Sequence, residues 1–135
     1  MLTFNTLAAA GWQQTVRSLL PSPLLDFTPG KTSLKQVEKK LGKAQLVQGS
    51  NYYWERNGLK YAIELTFKNK LLQSMHFTFS DKPKVEILKE EIKIKDFRPY
   101  PQAGKSTGRF LKLIQNGDEL IIDPISKTIY SVKLQ

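Results

Sequence analysis

The chain has 135 residues, of which 40% are hydrophobic and 24% charged, and it contains no cysteine. That length suits a single domain able to bury roughly two-thirds of its unfolded surface, and the missing cysteines exclude disulfides, thiolate zinc sites and thiol catalysis. A net charge of +9 fits an anionic partner, such as nucleic acid or acidic lipid, or simple solubility, and no stretch approaches the length of a membrane span.

Residues 1–135 read as one domain in three parts: an N-terminal helix and linker (1–27), a helix-and-strand unit (28–80) and a mainly β half (81–135). Leu7-Ala8-Ala9-Ala10 is too short for a signal core and has no basic leader. The signal or lipid anchor of an exported protein is therefore not expected within this sequence. Trp12, Val16, Leu19 and Leu20 share one helical face and predict a helix ending before Pro21. Pro21-Ser22-Pro23 and Thr28-Pro29-Gly30 bracket a linker.

The next segment carries the firmest signals. Leu34, Val37 and Leu41 predict a helix over Ser33–Leu41, with Ser33 and Gln36 as a capping box and Gly42 as its stop. Asn57-Gly58 predicts a two-residue hairpin loop. Regular pairing then sets Arg56 against Leu59, Trp54 against Tyr61 and Tyr52 against Ile63. Alternation places Tyr52, Trp54, Tyr61, Ile63, Leu65 and Phe67 on one apolar face. A three-residue turn at Lys68-Asn69-Lys70 keeps that face apolar by pairing Ile63 with Met75, Tyr61 with Phe77 and Leu59 with Phe79. The expected fold class is α+β, a helix packed on a three-stranded antiparallel meander. The opposite face is mixed, with Tyr53, Ala62 and His76 in one row and Glu55, Lys60 and Thr78 in the next.

Beyond Phe79, Ser80-Asp81-Lys82-Pro83 breaks the chain. Val85, Leu88 and Ile92 predict a helical turn or two, followed by a strand around Ile92–Lys95, and residues 98–108 form a structureless run. Asn116-Gly117 predicts a hairpin pairing Leu113 with Leu120 and Leu111 with Ile122. Asp123-Pro124 turns the chain into a last strand, Thr128 to Leu134. A degenerate second copy of the first unit is one way to build this half.

Pro29-Gly30-Lys31-Thr32, Val37 and Leu41-Gly42, then an aromatic strand and Phe67 closing the next, resemble the SmpA/OmlA (BamE-like) family of envelope lipoproteins. The unit is also similar to the repeat of the β-lactamase-inhibitor-protein-like fold. The resemblance spans residues 28–79 and rests on the pattern Gly-x-Thr-x4-Val-x3-Leu-Gly. Ala44 stands where the family usually has proline, and no lipid-accepting cysteine is present. The resemblance implies a non-enzymatic, protein-binding module of the periplasm or cell envelope, acting in outer-membrane or envelope assembly, with another envelope protein as partner. The alternatives are a secreted or periplasmic, inhibitor-like protein of the same fold and a basic nucleic-acid-binding module.

The chemistry adds little to this. Gly104-Lys105-Ser106 lacks the glycine a phosphate-binding loop needs at position 99, where Pro99 stands. His76 is the only histidine, and no nucleophile turn or oxyanion hole accompanies it. Glu64 is the one carboxylate near it, too few for a metal. Asp118, Glu119 and Asp123 are explained by turns and edges. No catalytic residue, cofactor or metal is therefore assigned. Tyr53, His76 and Lys60 are the candidates for protein contact. Lys35, Lys39 and Lys43, at four-residue intervals, are the candidates for an anionic lipid surface. Nucleic acid ranks below these, because most aromatics alternate onto the buried face.

Overall fold

The computed structural model describes residues 11–100 and 110–135; Leu7–Ala10 and Gly104-Lys105-Ser106 lie outside them. Among the described residues three helices, α1 (Trp12–Arg17), α2 (Ser22–Leu25) and α3 (Leu34–Leu41), precede a first meander. Its strands are β1 (Leu46–Gln48), β2 (Asn51–Arg56), β3 (Leu59–Lys68) and β4 (Leu71–Thr78). Two 3-10 turns, Val85–Leu88 and Ile94–Asp96, lead to a second meander. This one comprises β5 (Arg98–Pro99), β6 (Leu111–Gln115), β7 (Asp118–Asp123) and β8 (Thr128–Leu134). All eight strands form one antiparallel sheet in the order β1-β2-β3-β4-β8-β7-β6-β5. The fold is α+β, with few short helices and an open sheet.

The helix α3 forms as its sequence dictates. Ser33 Oγ accepts from Gln36 N at 3.1 Å while Gln36 Oε1 accepts from Ser33 N at 2.8 Å, closing the capping box. Gly42 ends the helix with φ +81°, a conformation that a Cβ would strain. Its carbonyl accepts from Trp54 Nε1 at 3.0 Å, so the helix end is tied to the sheet. The preceding Gly30-Lys31-Thr32 stretch runs along the start of β4. Gly30 N donates to Leu72 O at 2.7 Å, Leu72 N to Thr32 O at 2.8 Å and Leu34 N to Lys70 O at 2.9 Å. The residues that carry the family resemblance thus anchor helix to strand.

Both hairpin registers differ from regular pairing. Asn57-Gly58 is the two-residue loop, and Arg56 pairs with Leu59. Three residues, Lys60, Tyr61 and Ala62, then stand opposite Glu55 alone, so Trp54 pairs with Ile63 and Tyr52 with Leu65. A slip of two preserves the alternation, and Ile63, Leu65 and Phe67 stay buried beside Trp54. Tyr61 leaves the apolar face: it is 54% exposed, with its ring edge-on to Tyr53 at 5.4 Å. The bulge buries the small Ala62 and keeps the Tyr61 hydroxyl near water, where it needs no protein partner.

The second turn is also two residues, Asn69 and Lys70, both with positive φ. Alone it would set Ser74 against Leu65 and invert β4. A bulge at the exposed Gln73 restores the faces, pairing Leu65 with Met75 and Ile63 with Phe77. The expected pairs Ile63–Met75 and Tyr61–Phe77 are therefore each displaced by two.

The N-terminal helix is shorter than expected, closing at Ser18. The expected linker is packed instead: Leu24 and Phe27 are buried with Trp12 and Val16. The segment at Ile92–Lys95 is not a strand but leads into the second 3-10 turn, and β5 falls within the run expected to be structureless. The Asn116-Gly117 hairpin and the last strand match their predicted register and ends.

The helices and the first 3-10 turn share one buried cluster with Trp54, Leu65, Phe77, Leu120 and Val132. Trp54 is 4% exposed and hydrogen-bonded through its indole, so Trp54→Ala is expected to cost about 3–5 kcal/mol. Tyr61→Ala is expected to stay within about 0.5 kcal/mol, as at an ordinary surface position. Denaturant unfolding checks both, and equal losses would contradict the bulged register.

Candidate functional site

The helix-bearing face takes most of the apolar side chains, and among the described residues no helix covers the other face of the sheet. Cross-strand pairing there lines up Tyr53, Glu64, His76, Lys133, Glu119 and Ile114 in one row over six strands. Each position is fixed by alternation from a core neighbour: Glu64 lies between Ile63 and Leu65, His76 between Met75 and Phe77, and Lys133 between Val132 and Leu134. The adjoining row runs Thr78, Ser131, Ile121, Lys112 and Arg98.

The long row carries alternating charge. The Tyr53 hydroxyl donates to Glu64 Oε2 at 3.3 Å. His76 Nδ1 lies 3.7 Å from Glu64 Oε1, beyond hydrogen-bonding distance. At the far end Lys112 Nζ sits 2.9 Å from Glu119 Oε1 and 4.8 Å from the centroid of the Tyr100 ring. Burial lowers the His76 pKa from its ordinary 6.5; Glu64 opposes the shift, Lys133 and Lys112 add to it, and Glu119 opposes it. His76 is thus neutral at pH 7. Burial also raises the Tyr53 pKa, with Glu64 reinforcing it.

Ser131 is 1% exposed, and its Oγ has no hydrogen-bond partner among the described residues. Among the described residues no group of three or more His, Cys, Asp or Glu is placed to hold a metal ion. No helix among them is long and apolar enough to cross a membrane.

Of the sequence candidates, Tyr53 and His76 lie in this row, separated by Glu64 rather than Ala62. Lys60 lies in the bulge, outside the row and exposed. Lys35 and Lys39 are exposed on the outer face of α3. Lys43 falls beyond the glycine that ends the helix and pairs with Glu38 at 3.7 Å, so it does not extend their line. Lys133, Glu119 and Lys112 have no sequence signal as members of this face, because the β4–β8 pairing that brings them there is long-range. Glu119 is accordingly not an edge residue but a central partner of Lys112.

Comparison with protein-family models, curated proteins and solved structures returns no match to this chain.

Two outcomes follow from the geometry. The unfolded chain takes up the His76 proton near pH 6.5, before the native state does. The stability tied to neutral His76 is therefore complete above about pH 6.5 and is lost as pH falls through the lowered native value. Urea midpoints at about pH 7.5 and about pH 5 should drop further for the native chain than for His76→Gln; equal drops would exclude the linkage. Ser131→Ala removes an unmet hydroxyl and is expected to leave stability unchanged or raise it by up to about 1 kcal/mol. A clear loss in thermal unfolding would mean that the hydroxyl is bonded.

Proposed function

We propose that this chain is a non-enzymatic protein-binding module of the cell envelope, and that the open sheet face is its contact surface. One observation carries the reading: six strands contribute a continuous row, from Tyr53 to Ile114, to a face that no helix among the described residues covers. Tyr53 and Tyr61 form an edge-on pair at one end. Tyrosine supplies a large amphipathic contact area and is enriched among residues that dominate interface energies. Charges of both signs beside it favour a partner with a matching pattern over a uniformly charged polymer.

The envelope setting rests on the resemblance of residues 28–79 to the SmpA/OmlA (BamE-like) family. We read the two meanders as a degenerate tandem of one helix-plus-strands unit, as in the β-lactamase-inhibitor-protein-like fold. In support, each meander runs in chain order from an outer edge to the centre, and the two meet through their last strands, β4 and β8. The second half has a 3-10 turn, Val85–Leu88, where the first has α3.

A nucleic-acid reading draws support from the outward Tyr61 and the net charge, but Glu64 and Glu119 on the same face repel phosphate. The test is capture of a partner from an envelope fraction, followed by affinity measurement with variants. Tyr53→Ala should weaken binding by thirtyfold or more, about 2 kcal/mol, as at an interface hot spot, while Lys39→Glu, on the helix side, should leave it unchanged. Unaltered affinity in a folded Tyr53→Ala variant would remove the open face as the site. Steeply salt-dependent binding to single-stranded nucleic acid would favour the other reading.

A further inference from the structure

On the helix-bearing side, away from the polar row, the first 3-10 turn and the β7–β8 connection enclose a half-open cleft of about 710 Å³. Its apolar walls are Val85, Ile94, Leu111 and Ile122. The volume falls within the roughly 300–1,000 Å³ of small-ligand sites.

Two lysines stand in its lining, Lys84 and Lys127. They are neighbours because residues 83–85 pair briefly with residues 127–129. Val85 N donates to Lys127 O at 2.9 Å and Ile129 N to Pro83 O at 2.7 Å, and Lys84 bridges Thr128. Neither ammonium lies within ion-pair distance of a carboxylate among the described residues. Glu86 is the acidic residue in the lining, so the charged groups at the cleft sum to +1.

The β7–β8 connection beside the cleft is closed by its own hydrogen bonds. Asp123 Oδ1 accepts from Ile125 N at 2.9 Å and from Ser126 N at 3.3 Å, and the Ser126 and Thr128 hydroxyls lie 2.7 Å apart. Lys127 takes φ +59° and donates its N–H to Asp123 O at 2.8 Å. Ile94, in the lining, is 59% exposed. A large aliphatic side chain thus stands in water in a lining that also carries two lysines without an ion pair among the described residues, an arrangement that complements a molecule with an apolar body and an anionic end.

We propose that this cleft binds a single-chain amphiphile with an anionic head, of the fatty-acid type. The alkyl chain lies against Val85, Ile94, Leu111 and Ile122, and the carboxylate is held by Lys84 and Lys127. This assignment is independent of the open-face reading, since the two surfaces lie on opposite sides of the sheet.

The test is calorimetric titration of the full chain with decanoate below its aggregation concentration, with decanol and anionic vesicles as separate arms. Decanoate should saturate one site. Lys84→Gln with Lys127→Gln should weaken decanoate by about tenfold, the loss of two solvent-facing charge contacts, and leave decanol unchanged. Ile94→Asp, at a largely exposed position that folding tolerates, should weaken both. Failure of decanoate to saturate the native chain overturns the proposal, as does equal binding by all variants. Vesicle binding without decanoate binding overturns it as well, in favour of a membrane-surface contact.

Discussion

Four cross-strand pairs, from Met75–Leu134 to Thr78–Ser131, hold the two meanders in one sheet. Much else depends on them. On one side they bring Phe77 against Val132, so that the buried side chains of both halves form a single cluster. A four-stranded meander of this size has too little apolar area to stand alone against its chain entropy, and joining the halves supplies the missing partner surface. On the other side the same pairs set His76 beside Lys133, which makes one polar row out of two. Core and candidate interface are therefore two faces of one pairing, and a change that weakens it would be felt on both.

What the sequence made legible was faces rather than registers. Trp54, Ile63, Leu65, Met75 and Phe77 alternate with polar neighbours, and every one of them is buried. Two of the three hairpins in the first meander nevertheless carry a bulge. At Lys60–Ala62 the slip is two residues, and at Gln73 it is one residue that corrects a turn shorter than expected. Period-two burial is blind to a slip of two, because the same residues remain inside. Tyr61 was the residue on which this ambiguity turned, and its amphipathic ring is compatible with either side. The hairpin at Asn116-Gly117 has no bulge between Leu111 and Ile122, and there the simple count succeeded.

The elements without a local signature are those that exist through tertiary contact. The strand β1 is three residues long, and its polar Gln48 and half-exposed Leu46 announce nothing. Its neighbour Gln45 completes the edge: its N–H donates to Tyr53 O at 2.9 Å and its Oε1 accepts from Glu55 N at 2.9 Å. The two-residue β5 likewise gains definition only beside Leu111 and Lys112. The turn Ser22–Leu25 reads as a linker because of its prolines, yet Pro at the first turn of a helix is compatible with helix formation, and Leu24 and Phe27 are drawn into the core.

The charge pattern of the open face bears on how it could bind. Glu119 is already paired with Lys112, and Glu64 already accepts from Tyr53. Binding a partner over these groups would strip water from charges that are largely compensated within the chain, and buried ion pairs seldom return much more than their desolvation removes. Net affinity would then come from the aromatic contacts of Tyr53 and Tyr61 at the edge of the row, with the charges setting orientation and rejecting mismatched partners. Lys133 has no ion pair among the described residues, and His76 is the member whose charge changes with pH. It is neutral at pH 7 because burial outweighs the neighbouring carboxylates, and it stands midway between Glu64 and Lys133. A proton gained there would draw it toward Glu64 and push it from Lys133, so the middle of the row is where a change of pH alters the pattern that a partner meets.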